Sequence, residues 1–166
     1  MIDLVHIHPM LVHFPIVLFL VAIAAQVLTL ARGGDLSGRA CLPSIGLVAL
    51  ALGALGAVAA AVFGDIALDH AVELGFPQGP LETHQELGLT TTGLFVALAV
   101  VHGLAWWRKI SLKAVRGWSL AIAGVGCCAI LLLTAYHGGD LVYKIGVNVD
   151  AVKPAGQASP QPPVKP

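Results

Sequence analysis

The chain has 166 residues, of which 57% are hydrophobic and 11% charged, with nine basic side chains balancing nine acidic ones. Soluble domains average about 25% charged residues, so this composition excludes an ordinary water-soluble globule and points to a lipid bilayer. A net charge of zero, with no basic excess over the whole chain, gives no ground for nucleic-acid binding.

Four apolar runs follow one another, roughly Leu11–Ala31, Ser44–Gly64, Leu87–Trp107 and Trp118–His137. Each is close to the ~20 residues that a helix needs to cross ~30 Å of hydrocarbon. Lipid offers no partner to a bare backbone N–H or C=O, so the runs are expected as helices rather than open strands. The predicted fold is all-α, an integral membrane up-down-up-down four-helix bundle over residues 1–150. Residues 151–166 hold five prolines and no apolar periodicity, and are read as a disordered tail.

The first helix opens with HPMLVHFP. Pro9 suits the first helical position, which makes His8 the flanking residue and puts His13 just over one turn inside. Pro15 is expected to bend the entry. The opening residues carry no Lys or Arg and no small-residue cleavage site follows the apolar run, so the helix is expected to stay in the mature protein. The second helix carries Ala49, Gly53, Ala57, Ala61 and Asp65 at four-residue spacing, a ribbon of small side chains that lets another helix come close.

The loop from Asp65 to Thr83 breaks at GFPQGP. Thr83-His84-Gln85-Glu86 is a capping-box pattern, which predicts Thr83 as the N-cap of the third helix and His84 as its first residue. The fourth helix is expected to end at His137, stopped by Gly138 and Gly139, with DLVYKIGVNV lying back along the outer surface. Cys41, Cys127 and Cys128 form neither a CxxC nor a CxxCH motif and read as buried small residues.

Charge sets the orientation. The loops after the first and third helices carry Arg32, Arg39, Arg108, Lys109, Lys113 and Arg116 against Asp35 alone, whereas the other eight acids lie toward the opposite side. By the positive-inside rule both termini, the proline-rich tail included, face outward. In a Gram-negative bacterium that is the periplasmic side of the inner membrane.

His6, His8, His13, His84 and His137 fall at those outer helix ends, and His70 lies in the loop between two of them. Each alone reads as a polar cap, but several at one depth suggest a shared ligand. His13, His84 and His137 are expected at one level. Helices one and three are diagonal in a simple bundle, so His13 and His84 are the expected axial ligands of a haem b, with His137 as substitute or neighbour and His8 just outside. The same His13, His84 and His137 set would instead suit zinc or copper. Asp65, Asp69, Glu82, Glu86 and Asp140 are candidates to orient the rings. His102 lies 18 residues beyond His84, about 27 Å along a helix, and reads with Trp106 and Trp107 as part of an interfacial belt.

At HPMLVHFPIVL, THQELG and HGGDLVYKIGVNV the chain resembles the bacterial membrane family catalogued as domain of unknown function 2231. The resemblance covers nearly all of the chain except the tail. Its motif positions fall on His8, His13, His84, Gly138, Gly139 and Tyr143, with Asn148 where a glycine is common. It implies a four-helix bundle with a layout similar to membrane b-type cytochromes. The leading expectation is therefore an electron carrier with one bis-histidine haem near the outer face, working between a quinol and a periplasmic c-type cytochrome. An outward zinc or copper module, and an accessory subunit of a redox complex without its own cofactor, stand beside it. No GxSxG or HExxH motif suggests a hydrolase.

Overall fold

The structure, a computed structural model, describes residues 4–149. The proline-rich segment 151–166 falls outside the described residues. A 3-10 turn, Leu4–His6, leads into α1 (Ile7–Leu11) and α2 (His13–Ala31), followed by α3 (Cys41–Glu73), α4 (Gln78–Trp107) and α5 (Ala114–Asp140), with a final π turn, Leu141–Ile145. Four helical stretches, Ile7–Ala31, Cys41–Glu73, Gln78–Trp107 and Ala114–Ile145, are long and apolar enough to cross a membrane. Their outward faces meet lipid. Each packs on the next, and α5 closes back on α2, so α2 and α4 lie on one diagonal of the bundle.

The first span is kinked rather than broken. Pro15 has no N–H for the carbonyl of Leu11, and its ring would crowd that carbonyl, so regular helix is interrupted at Val12. Pro15 is buried and faces Gly56 of α3, where an added methyl would sit 3.5 Å from the proline Cδ. Helix starts earlier than the expected Pro9, with His6 in the capping position and both His8 and Pro9 within the first turn of α1.

The helix ends on the side where most of the histidines gather, called outer below as a label only, also run on further than hydropathy suggests. α3 continues through Asp65–Glu73, because Ala71 on that extension joins Phe76, Leu81, Leu141 and Val147 in a separate apolar cluster. α3 stops in a Schellman turn: Gly75 is left-handed (φ +87), its N–H reaches the Val72 carbonyl at 2.9 Å and the Phe76 N–H reaches Ala71 at 3.1 Å. α4 then begins at Gln78, where Pro80 sits in the first turn and lacks only an N–H that has no helical partner there. The Thr83 capping box is therefore not formed. Thr83 lies inside α4 and its hydroxyl donates to the Gly79 carbonyl at 2.9 Å. Gly138 and Gly139 likewise do not stop α5, which continues through Asp140 and ends only after the π turn, at left-handed Gly146 (φ +81).

Inside the bundle, Phe19 and Phe95 stack face to face on the α2–α4 diagonal, 3.6 Å apart and 6° from parallel. The small ribbon of α3 makes this approach tolerable: a methyl on Gly53 would lie 2.7 Å from the Phe19 ring, and Ala49 and Ala57 are buried beside it. Ala61 is half-buried and Asp65 lies at the outer limit of the ribbon, where its carboxylate meets an exposed amide. In lipid such close packing, rather than exclusion of water, holds helices together. Of the cysteines, Cys127 is buried and Cys128 half-buried, but Cys41 is exposed at the start of α3, contrary to expectation.

The loops at the opposite end, after α2 and α4 and called inner below as a label only, are laced to each other. Asp35 Oδ1 accepts from the N–H groups of Ser37 (3.0 Å) and Leu112 (2.9 Å), and Oδ2 from the Ser111 hydroxyl (2.6 Å). Partial burial pushes the Asp35 carboxyl up, yet these three bonds and the nearby Lys113 outweigh it and hold the group below 3.8. Ser37 donates to the Ile110 carbonyl at 2.7 Å, and the Leu36 N–H to Leu112 at 3.3 Å.

Candidate functional site: a pair of seated imidazoles

The two diagonal helices carry a hidden correspondence. His8, Phe19 and Gln26 on α1 and α2 each stand 76 residues before His84, Phe95 and His102 on α4. Steps of 11 and 7 residues return to nearly the same helix face at 3.6 residues per turn. Accordingly the members meet in order: His8 against His84, Phe19 against Phe95, Gln26 against His102.

At the outer end the His8 and His84 ring centroids are 6.2 Å apart and the planes 84° from parallel. His8 Nδ1 meets the Ala60 carbonyl of α3 at 2.7 Å, and His84 Nδ1 meets the Thr134 carbonyl of α5 at 3.2 Å. A carbonyl only accepts, so in both rings Nδ1 carries the hydrogen and Nε2 keeps its lone pair. That is the tautomer of a metal-ligating histidine oriented by its backbone. Four residues beyond each carbonyl stands a glycine on which the ring rests. A methyl on Gly64 would come 2.9 Å from His8 Nδ1, and one on Gly138 would come 2.8 Å from His84 Cε1. The Gly138 expected as a helix stop is instead the seat of an imidazole.

The other expected residues are placed differently. His13 is exposed at the start of α2, so the structure pairs His84 with His8 and leaves His13 on the bundle surface. His6 and His70 are exposed. His137 is half-buried and edge-on to Tyr136 at 5.7 Å. It lines a cleft of about 330 Å³ with Thr83, Asp140 and Lys144. Among the described residues no three His, Cys, Asp or Glu side chains gather around one metal position, so the trio of His13, His84 and His137 is not assembled. Two of the acids expected to orient the rings are turned elsewhere: Asp65 accepts from Gln85 at 2.8 Å and Asp140 pairs with Lys144 at 2.7 Å.

His102 is no part of an interfacial belt. It is fully buried, with Nε2 on the Leu36 carbonyl at 3.0 Å and Nδ1 on Gln26 Nε2 at 3.3 Å. Here Nε2 carries the hydrogen and Nδ1 accepts, the reverse of the outer pair, so both nitrogens are spent. The inner pair ties α2 and α4 to the 32–40 loop, while Gln26 Oε1 is left without a hydrogen-bond partner. The signal for this pairing was in the chain: the 76-residue offset that relates His8 to His84 also relates Gln26 to His102.

The fold and the seated pair define a four-helix integral membrane protein with two imidazoles facing each other near one end. The chain belongs to the DUF2231 family of predicted membrane proteins, whose family model matches residues 5–151. Neither curated proteins nor solved structures gave a match.

Proposed function

We propose that the protein is a b-type membrane cytochrome, holding one haem b between His8 and His84 and carrying electrons between a quinol in the bilayer and an outward partner such as a c-type cytochrome. On this reading the protein lies in a bacterial inner membrane, with the histidine pair toward the periplasm and the basic loops toward the cytoplasm.

The separation of the two rings carries the reading. If each Nε2 were to bond one metal at about 2.0 Å from opposite sides, with each nitrogen about 1.1 Å from its ring centre, the two rings would stand about 6.2 Å apart. The rings stand 6.2 Å apart. A tetrahedral angle would bring them to about 5 Å and would call for a third ligand. Two paired imidazoles with both Nδ1 atoms held by carbonyls suit a haem between two histidines, and the lack of a third ligand among the described residues counts against a tetrahedral zinc site. Haem would supply reversible one-electron chemistry. The chain would supply two imidazoles whose Nδ1 atoms are held by the Ala60 and Thr134 carbonyls and whose rings fit closely on Gly64 and Gly138.

The test is an absorption spectrum of protein purified from haem-supplied cells, oxidised and then reduced, with metal analysis alongside. Stoichiometric haem is expected in wild type and in His13→Ala, and its loss in His8→Ala and His84→Ala. Haem-free wild type, or retention by both of the last two variants, would refute the reading, and stoichiometric zinc or copper would replace it.

A further inference from the structure

The same 76-residue correspondence exposes an anomaly at the opposite end. α2 and α4 both finish in a Schellman turn, with equivalent bonds from Gly33 to Leu30 (2.9 Å) and from Lys109 to Trp106 (3.3 Å). Gly33 takes the left-handed position at φ +70, as that turn prefers; its counterpart is Lys109, at φ 57. An L-residue adopts that conformation at a cost, and a lysine has no local hydrogen bond to offset it.

Lys109 opens onto a cleft of about 350 Å³ that it shares with Arg39, Trp106, Ser37, Ser111 and Asp35. Both serine hydroxyls are spent on Ile110 and Asp35, and both Asp35 oxygens are turned to loop donors. Arg39 lies over the Trp106 ring at 5.5 Å. The single ion pair among the described residues is Lys144–Asp140, so neither Arg39 nor Lys109 is neutralised by a carboxylate. The cleft thus offers two cations and no free hydroxyl donor. It lies where the spans ending at Ala31 and Trp107, and that beginning at Cys41, meet the membrane boundary.

We propose that this cleft binds the phosphate of an anionic phospholipid headgroup, with Arg39 and Lys109 as its two contacts and Trp106 at the headgroup level. With the Asp35 carboxylate counted, Arg39 and Lys109 leave the cleft one positive charge in excess, which the single negative charge of a phosphodiester balances, and that is the anion always present at that depth. Six basic residues against one acid on this side add a field of the same sign.

The test uses the full chain in detergent micelles doped with phosphatidylglycerol or phosphatidylcholine, read by native mass spectrometry and by thermal unfolding. Phosphatidylglycerol is expected to be retained in preference to phosphatidylcholine. Lys109→Gly and Arg39→Gln should each weaken its retention about fivefold, the effect of one basic contact at an anionic surface. Lys109→Arg should keep it. Lys109→Gly should also unfold no earlier than wild type, because glycine suits the left-handed turn, so weaker binding could not be laid to misfolding. Equal retention of the two lipids, or unchanged retention in Lys109→Gly, would overturn the proposal. Displacement of phosphatidylglycerol by millimolar inorganic phosphate would overturn it too, by showing that a free anion, not a headgroup, is the ligand.

Discussion

Replacing Gly138 by alanine puts one methyl group 2.8 Å from His84 Cε1. Carbon atoms rest about 3.5–4.0 Å apart, so the ring must recede by about 0.7–1.2 Å. Its Nδ1 already stands 3.2 Å from the Thr134 carbonyl, near the limit of a useful bond, and a shift of that size breaks it. Overpacking costs about 1–3 kcal/mol and the lost bond about 1 kcal/mol, while alanine in place of glycine returns about 1 kcal/mol of helix propensity. The net expectation is a loss of about 1–3 kcal/mol. The neighbouring Gly139 provides the control, because its added methyl meets nothing nearer than Tyr143 Cδ2 at 3.9 Å. Gly139→Ala should therefore stabilise the helix by about 0.5–1 kcal/mol. Thermal unfolding in detergent should separate the two variants by about 5–10 °C, and on the proposed function haem binding should fall only in Gly138→Ala. Equal behaviour of the two variants in both measurements would refute the idea that Gly138 seats the imidazole.

The inner network makes two more predictions. His102→Leu leaves the Leu36 carbonyl and the Gln26 amide unpaired inside the bundle, a loss of about 2–4 kcal/mol; thermal unfolding checks it, and any haem held by His8 and His84, as proposed, should be retained because both nitrogens of His102 are spent far from that pair. Asp35 is held below its ordinary 3.8, so its contribution is complete above about pH 4 and disappears as pH falls through the lowered value. The gap in unfolding temperature between wild type and Asp35→Asn should accordingly be full at pH 7 and close below 3.8, and a gap that widened on acidification would contradict the loop-pinning role.

Much of the architecture was legible along the chain. Span number, helical type and charge polarity depend on composition summed over about twenty residues, and such sums survive errors at the ends. The ends themselves were not legible in the same way. The Thr83 capping box and the Gly138-Gly139 stop are sound local signals, but each lost to a competitor elsewhere: the Schellman turn at Gly75 started α4 earlier, and Gly138 was needed as a flat surface for His84.

The same limit governed the choice of histidine. Depth alone favoured His13 as partner for His84, because His13 lies deeper in the first apolar run than His8. Rotation about the helix axis decides otherwise: five residues at 3.6 per turn put His13 about 140° round from His8, on an exposed face. The 76-residue correspondence with Phe19 and Gln26 carried that phase information, once His8 rather than His13 was aligned with His84. The sequence by itself determined a four-span bundle with polarised charge and histidines gathered at one end. Only the tertiary structure decided which two imidazoles meet, which carbonyls hold them, and that His102 is locked inside, because helix phase, kink and glycine contact are relations between helices and no single segment contains them.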